Sequence, residues 1–226
     1  MIDEALHQIE CFRGPSLTQT IANIETRLRR ATNKDVVAVN AAAHVDKTLI
    51  ASAAQVKRAS AQIDVIIHTA GILYSLPYLL GAEEIVESVS LGAGNAGSDF
   101  DLVTNQKIAE FKFIYWQGGS ESVRKKTFFQ DYFKLIRYQS QKAKYFYLLN
   151  TEIPLRFLRG KSQTVKMLDR NRRLADNFQQ MYGTTFPTVG DYYRVHKDQV
   201  KFVNLIDIVP DLQQLVGLPD NEIESD

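Results

Sequence analysis

A single cysteine, Cys11, stands in this chain of 226 residues. An intramolecular disulfide is therefore excluded, and so is a Cys-rich zinc site. A reducing, cytoplasmic compartment is the expectation. Charge of one sign is also lacking: 27 Lys and Arg face 26 Asp and Glu, for a net charge of +1. That excludes a globally basic, histone-like binder but leaves room for a local basic patch. The opening Met1-Ile2-Asp3-Glu4 is acidic and has no basic-then-apolar export pattern. No apolar run is long enough for a membrane span: Val65 to Leu80 contains His68 and Pro77 and falls short of the ~20 residues a span needs. It reads as a buried core helix. Internal repeats and low-complexity linkers are absent. The histidines, His7, His44, His68 and His196, show no metal-ligand spacing, so each is expected to be structural or exposed.

What is present is a change of period along the chain. Ile21, Ile24 and Leu28 fall at helical spacing behind Ser16 and Thr18 as cap candidates, predicting a helix over 16–32. Residues 33–40 read as a short apolar strand or turn, and 46–62 and 63–80 as helices. From Glu84 the alternation becomes that of strands: 84–91, then 99–103, then 108–116. The intervening Gly92 to Gly97 lacks the Gly-Lys-Ser/Thr ending of a phosphate loop and is followed by a strand, which makes it a hairpin turn. Ser120 is a cap candidate for a helix to about residue 140 carrying Val123, Phe128, Tyr132, Leu135 and Ile136 on one stripe. A strand at 144–149, a basic helix at 162–181 and a strand at 200–208 complete the reading. This order gives an α/β domain with a mixed central sheet over 63–226, with added N-terminal helices, 1–62, packed on it.

The chemistry concentrates on the middle two strands. Alternation sends Glu110 and Lys112 to one face and Ala109, Phe111 and Phe113 to the other. On the preceding strand Asp99, Asp101 and Val103 share a face, opposed by Phe100 and Leu102. Paired as a hairpin, the strands would bring carboxylates and one amine to one spot. Two carboxylates can hold a hard divalent cation, and a lysine beside them can orient or deprotonate water or neutralise developing charge. The bland alternative is a cross-strand salt-bridge cluster of small benefit. Against it, Glu110 and Lys112 sit in a strand apolar on both faces, where buried charge is costly unless it lines a cleft.

Strand order and residues together resemble the PD-(D/E)XK nuclease superfamily, whose restriction-endonuclease-like core is αβββαβ. The resemblance spans roughly residues 63–150 and rests on Asp101, Glu110 and Lys112. It implies a metal-dependent nuclease in which Mg2+ or Mn2+ is held by Asp101, Glu110 and the Phe111 carbonyl, and in which Lys112 positions or activates the attacking water. DNA is the implied substrate ahead of RNA, with defence or restriction as the implied role and a homodimer through the N-terminal helices as the implied assembly. The family's Pro before Asp is missing: Phe100 precedes Asp101 and Ser98 precedes Asp99. Many members also carry a glutamate on the first core helix, whereas this helix has no acidic residue after Asp64. Glu87 and Asp99 are the candidates for an additional acidic ligand. Arg124, Lys125 and Lys126 open the following helix against its dipole and are candidates for phosphate contact. Arg156, Arg159, Lys161, Lys166, Arg170, Arg172 and Arg173 form a second basic cluster, readable as a phosphate footprint or as a solvated face. Tyr115 and Trp116 could stack on a base or cap the core. The competing functional reading is a catalytically silent nucleic-acid-binding or protein-interaction module on the same fold.

Overall fold

The computed structural model describes residues 2–91, 99–116 and 122–216. The glycine-rich segment 92–97 and Ser120 lie outside them. The chain divides into two compact units, residues 1–66 and 67–226.

The first unit is helical: α1 (Ile2–Arg13), α2 (Leu17–Leu28), α3 (Asn33–Ala42) and α4 (Lys47–Ser60), with α1 packed along α4. Each boundary has a chemical cause. Gly14 takes φ +58° after α1, a conformation glycine adopts without penalty. Ser16 caps α2 by accepting from the Gln19 N–H, and Asp46 caps α4 by accepting from the Leu49 N–H at 2.9 Å. Residues 33–40 are helical, not a strand or turn. The Thr32 N–H and hydroxyl both donate to the Asp35 carboxylate, at 2.8 and 2.7 Å, and this start signal outweighs the β-branched Val36 and Val37.

The second unit is a layered α/β structure. After α5 (Ile63–Leu79) come β1 (Val86–Val89), β2 (Leu102–Thr104), β3 (Lys107–Lys112), α6 (Ser122–Arg137) and β4 (Ala143–Leu148). Four short helices follow: α7 (Glu152–Leu158), α8 (Thr164–Leu168), α9 (Arg172–Tyr182) and α10 (Val189–His196), then β5 (Lys201–Asn204) and 3-10 turns at Leu205–Asp207 and Pro210–Leu215. The expected basic helix at 162–181 is thus two helices, because Asn171 breaks it and caps α9 by accepting from the Leu174 N–H at 3.1 Å. The sheet order is β1-β2-β3-β4-β5; β1, β2 and β3 pair antiparallel, and β3, β4 and β5 parallel.

Alternation on β3 and β4 feeds two cores. Ile108, Phe146 and Leu148 pack with Phe128, Tyr132 and Leu135 of α6 and the helices beyond it, while Ala109, Phe111, Tyr147 and Leu149 pack with Ile72 of α5 and the 3-10 turns. Each large side chain so buried contributes on the order of 1.5–3 kcal/mol. Trp116 belongs to the first core, edge-on to Phe128 at 5.2 Å, so it packs and is not presented for stacking. The β2–β3 turn is fixed by Glu84, which takes the Thr104 hydroxyl at 2.5 Å and Lys107 at 3.1 Å, while Lys107 also donates to the Leu79 carbonyl.

Helix α5 closely approaches the residue just past β3: a Cβ on Gly71 would stand 2.5 Å from the Phe113 ring. Gly71→Ala must therefore push Phe113 aside. It is expected to destabilise the fold by about 1–3 kcal/mol, read as a lower urea midpoint with an unchanged slope; an unchanged midpoint would contradict this packing.

Candidate active site

The register of β2 on β3 pairs Leu102 with Ala109 and Val103 with Ile108. Continued one step, it sets Asp101 opposite Glu110, and directly opposed residues share a face. Backbone pairing stops there because the chain bends over 99–101. The Asp101 side chain takes over: its Oδ2 accepts from the Phe111 N–H at 2.8 Å. The same bend sends Phe100 into the first core, edge-on to Tyr138 at 5.0 Å, while Leu102 enters the second. The expected sharing of a face by Phe100 and Leu102 is corrected accordingly. Asp101 thus lies beside the carboxyl ends of the parallel strands β3 and β4, where open α/β sheets commonly place ligand sites.

Two residues that carry no motif signal complete the group. Asp131, on the sheet-facing side of α6, accepts from Lys112 Nζ and from Lys134 Nζ, each at 2.8 Å. Its place on the Phe128–Tyr132–Leu135 stripe was the available signal, since a carboxylate on an apolar helix face needs a partner. His68 of α5, expected to be structural or exposed, stands with Nε2 3.3 Å from Asp101 Oδ1, its ring edge-on to Phe113 at 5.9 Å. Lone histidine spacing gives no hint of this, because the contact joins a helix to a bend 33 residues away.

Glu110 is only 5% exposed. Among the described residues its ion-pair partner is Lys112 Nζ, at 3.9 Å. Burial, then the Asp131 charge, push its carboxyl well above the usual range, and Lys112 offsets this only partly. For Lys112, burial acts to lower the pKa but is outweighed by Asp131, Glu110 and Asp101, so the ammonium is held above its ordinary value. Asp131 is lowered, since Lys112 and Lys134 outweigh its burial. The charges that act on Glu110 are two carboxylates, Asp131 and Asp101, and two ammoniums, Lys112 and Lys134; with Glu110 itself ionised the cluster carries an excess negative charge. Such an excess in a buried place invites a proton or a cation.

The remaining candidates stand apart. Glu87 is half-exposed and pairs with Lys142, not with Asp101 or Glu110. Asp99 is exposed and joins none of the contacts described for this group. Arg124, Lys125 and Lys126 open α6 half-buried, with Lys126 paired to Asp169 at 2.8 Å. Phe111 contributes its N–H, its side chain lying fully buried on the opposite face.

Among the described residues no three His, Cys, Asp or Glu side chains are gathered closely enough to enclose a metal ion. That excludes a closed, zinc-type cage among them. A Mg2+-type site, which uses one or two carboxylates with water and substrate phosphate, does not require three such side chains. No protein-family model, curated protein or solved structure matches this chain.

The Glu110 shift has a consequence for stability. A carboxyl whose folded pKa is raised contributes stability that is present below its unfolded value of 4.5 and is lost as pH rises through the folded value. Glu110→Gln is therefore expected to unfold at higher urea than the wild type near neutral pH, with the gap narrowing as pH falls toward 4.5. A gap independent of pH would contradict the buried, repelled carboxylate.

Proposed function

We propose that this protein is a metal-dependent phosphodiesterase of the PD-(D/E)XK kind, acting on nucleic acid, with DNA as its substrate by analogy with that superfamily. The observation that carries the reading is the cross-strand placement of Asp101 against Glu110, with Lys112 one alternation along the same face. The antiparallel β1-β2-β3 order followed by α6 and a parallel β4 supports a restriction-endonuclease-like core.

Asp101 and Glu110, with the Phe111 carbonyl, would hold Mg2+ or Mn2+. When bound, that ion supplies polarisation of the phosphate and a lowered pKa for a coordinated water. Asp101 is oriented in advance by the Phe111 N–H and by His68, so little ordering is left for the moment of binding. Lys112, held as an ammonium, works by donating to water or phosphate oxygen and by neutralising charge, not as a base. Asp131 fixes the direction in which that ammonium points. Arg124, Lys125 and Lys126 lie on the helix that follows the site strand, where they could meet the substrate backbone. Among the described residues no helix is long and apolar enough to cross a membrane.

The test is nicking of supercoiled plasmid in Mg2+, Mn2+ or EDTA, beside the Lys112→Ala protein. Cleavage that needs the metal and falls about 100-fold or more in the variant is expected. Activity that survives in Lys112→Ala would remove these residues from the site. No cleavage under any condition would favour the silent binding module.

A further inference from the structure

We propose that the basic surface formed by α7, α8 and the first turn of α9 is a docking site for the sugar-phosphate backbone of duplex DNA; it rests on the function proposed above only for the choice of DNA as the polymer. Residues 152–173 hold seven Lys and Arg and two acids, a net +5, which leaves the remainder of the chain at −4. Charge that is balanced over the whole molecule is therefore segregated onto one segment.

One of the two acids is engaged within the segment and the other from outside it. Glu152 is engaged by Arg156 at 2.5 Å and Asp169 by Lys126 at 2.8 Å. Arg159, Lys161, Lys166, Arg170, Arg172 and Arg173 are all exposed. Beneath them Phe157, Leu158, Leu168 and Leu174 are buried in the first core, so the helices are anchored and their cations point outward. The backbone is fixed as well: Gln163 bridges Thr188, the Gly190 N–H donates to the Gly160 carbonyl at 3.0 Å, and the Thr164 hydroxyl donates to the Phe186 carbonyl at 2.8 Å. A fixed frame lowers the ordering cost of meeting an extended, regular polyanion.

Arg172 and Arg173 occupy the first turn of α9, which holds no acidic residue. Cations there oppose the helix dipole and weaken the helix, yet they add to the positive field at the helix start, which suits a bound phosphate. Beneath the surface, α7 packs against the chain that follows the strand of Glu110 and Lys112. Phe157 packs edge-on to Trp116, four residues past the end of β3, with ring centroids 6.0 Å apart. The Lys126–Asp169 pair and the Gln130 amide, which donates to the Met167 carbonyl at 3.1 Å, tie the α8–α9 junction to α6. A membrane-surface helix would add an apolar stripe; Val165 is the large apolar side chain that this segment exposes.

The experiment is fluorescence anisotropy of two short labelled duplexes of unrelated sequence with the full-length protein in EDTA, over a series of salt concentrations. Wild type is expected to bind both sequences alike. Arg170→Ala/Arg172→Ala/Arg173→Ala is expected to bind at least ~10-fold more weakly, with a log–log salt slope shallower by about 2–3, near 0.9 for each phosphate no longer neutralised. Lys161→Ala/Lys166→Ala, on the neighbouring helix, should show a smaller shift in the same direction. Lys57→Ala/Arg58→Ala on α4 should match wild type. Unchanged affinity and slope in both patch variants would overturn the proposal, as would wild type that binds anionic vesicles and not duplex. Duplex binding without cleavage would sink the hydrolase and keep this surface; plasmid cleavage with binding unaltered in the patch variants would do the reverse.

Discussion

Strand β3 is buried along almost its whole length, and yet it carries Glu110 and Lys112. Charge taken out of water has to be compensated where it stands, and the cost of failing to do so is several kcal/mol per ion. The surrounding arrangement answers that demand. Asp131 comes down from α6 to Lys112, Lys134 closes on Asp131 from the next turn, and Asp101 is turned in by the bend before β2. The compensation is incomplete in one direction, because Glu110 is left with a raised pKa and a lysine at 3.9 Å. A hydrophobic pair would have been less costly at these positions, and the raised Glu110 carboxyl meets the crowding of carboxylates by favouring its protonated form.

The two ends of the β2–β3 hairpin handle charge differently. At the turn, Glu84, Thr104 and Lys107 satisfy one another and the Leu79 carbonyl, and the Glu84 carboxyl is lowered, its hydrogen bonds from Thr104 and Gly81 and the Lys107 charge outweighing burial. This is a structural cluster with its polar groups paired. At the other end Glu110 is raised and under-paired. The contrast is between one Glu–Lys pair whose polar groups are satisfied and another, Glu110 with Lys112, whose carboxyl is raised by burial and by Asp131.

Much of this was legible in the sequence. The period change at Glu84, the paired faces of β3 and the apolar stripe of α6 follow from alternation and helical spacing, which need only local information. Asp101, Glu110 and Lys112 stood out in the sequence as charge in apolar strands, and the structure sets them at neighbouring strands with Glu110 and Lys112 3.9 Å apart. Asp131 was signalled only by its place on the apolar stripe of α6, which does not say what it pairs with, and His68 not at all, since each acts through a contact made only when distant elements pack. Residues 33–40 misled because β-branched valines suggested a strand while the Thr32–Asp35 start signal decided the outcome. The face of Phe100 misled because alternation holds only while the chain is a strand, and here it bends at 99–101. The split between α8 and α9 turned on Asn171, whose capping role is visible only once a helix is known to begin there.

The central claim is that Asp101 and Glu110 form a cation-binding pair, and direct titration of Mn2+ followed by electron paramagnetic resonance tests it without substrate or turnover. The account predicts saturable binding at one class of site in the wild type, competed by Mg2+, and lost or weakened at least ~10-fold in Asp101→Asn and in Glu110→Gln. Wild-type protein that leaves Mn2+ free, or variants that bind it as the wild type does, would contradict it.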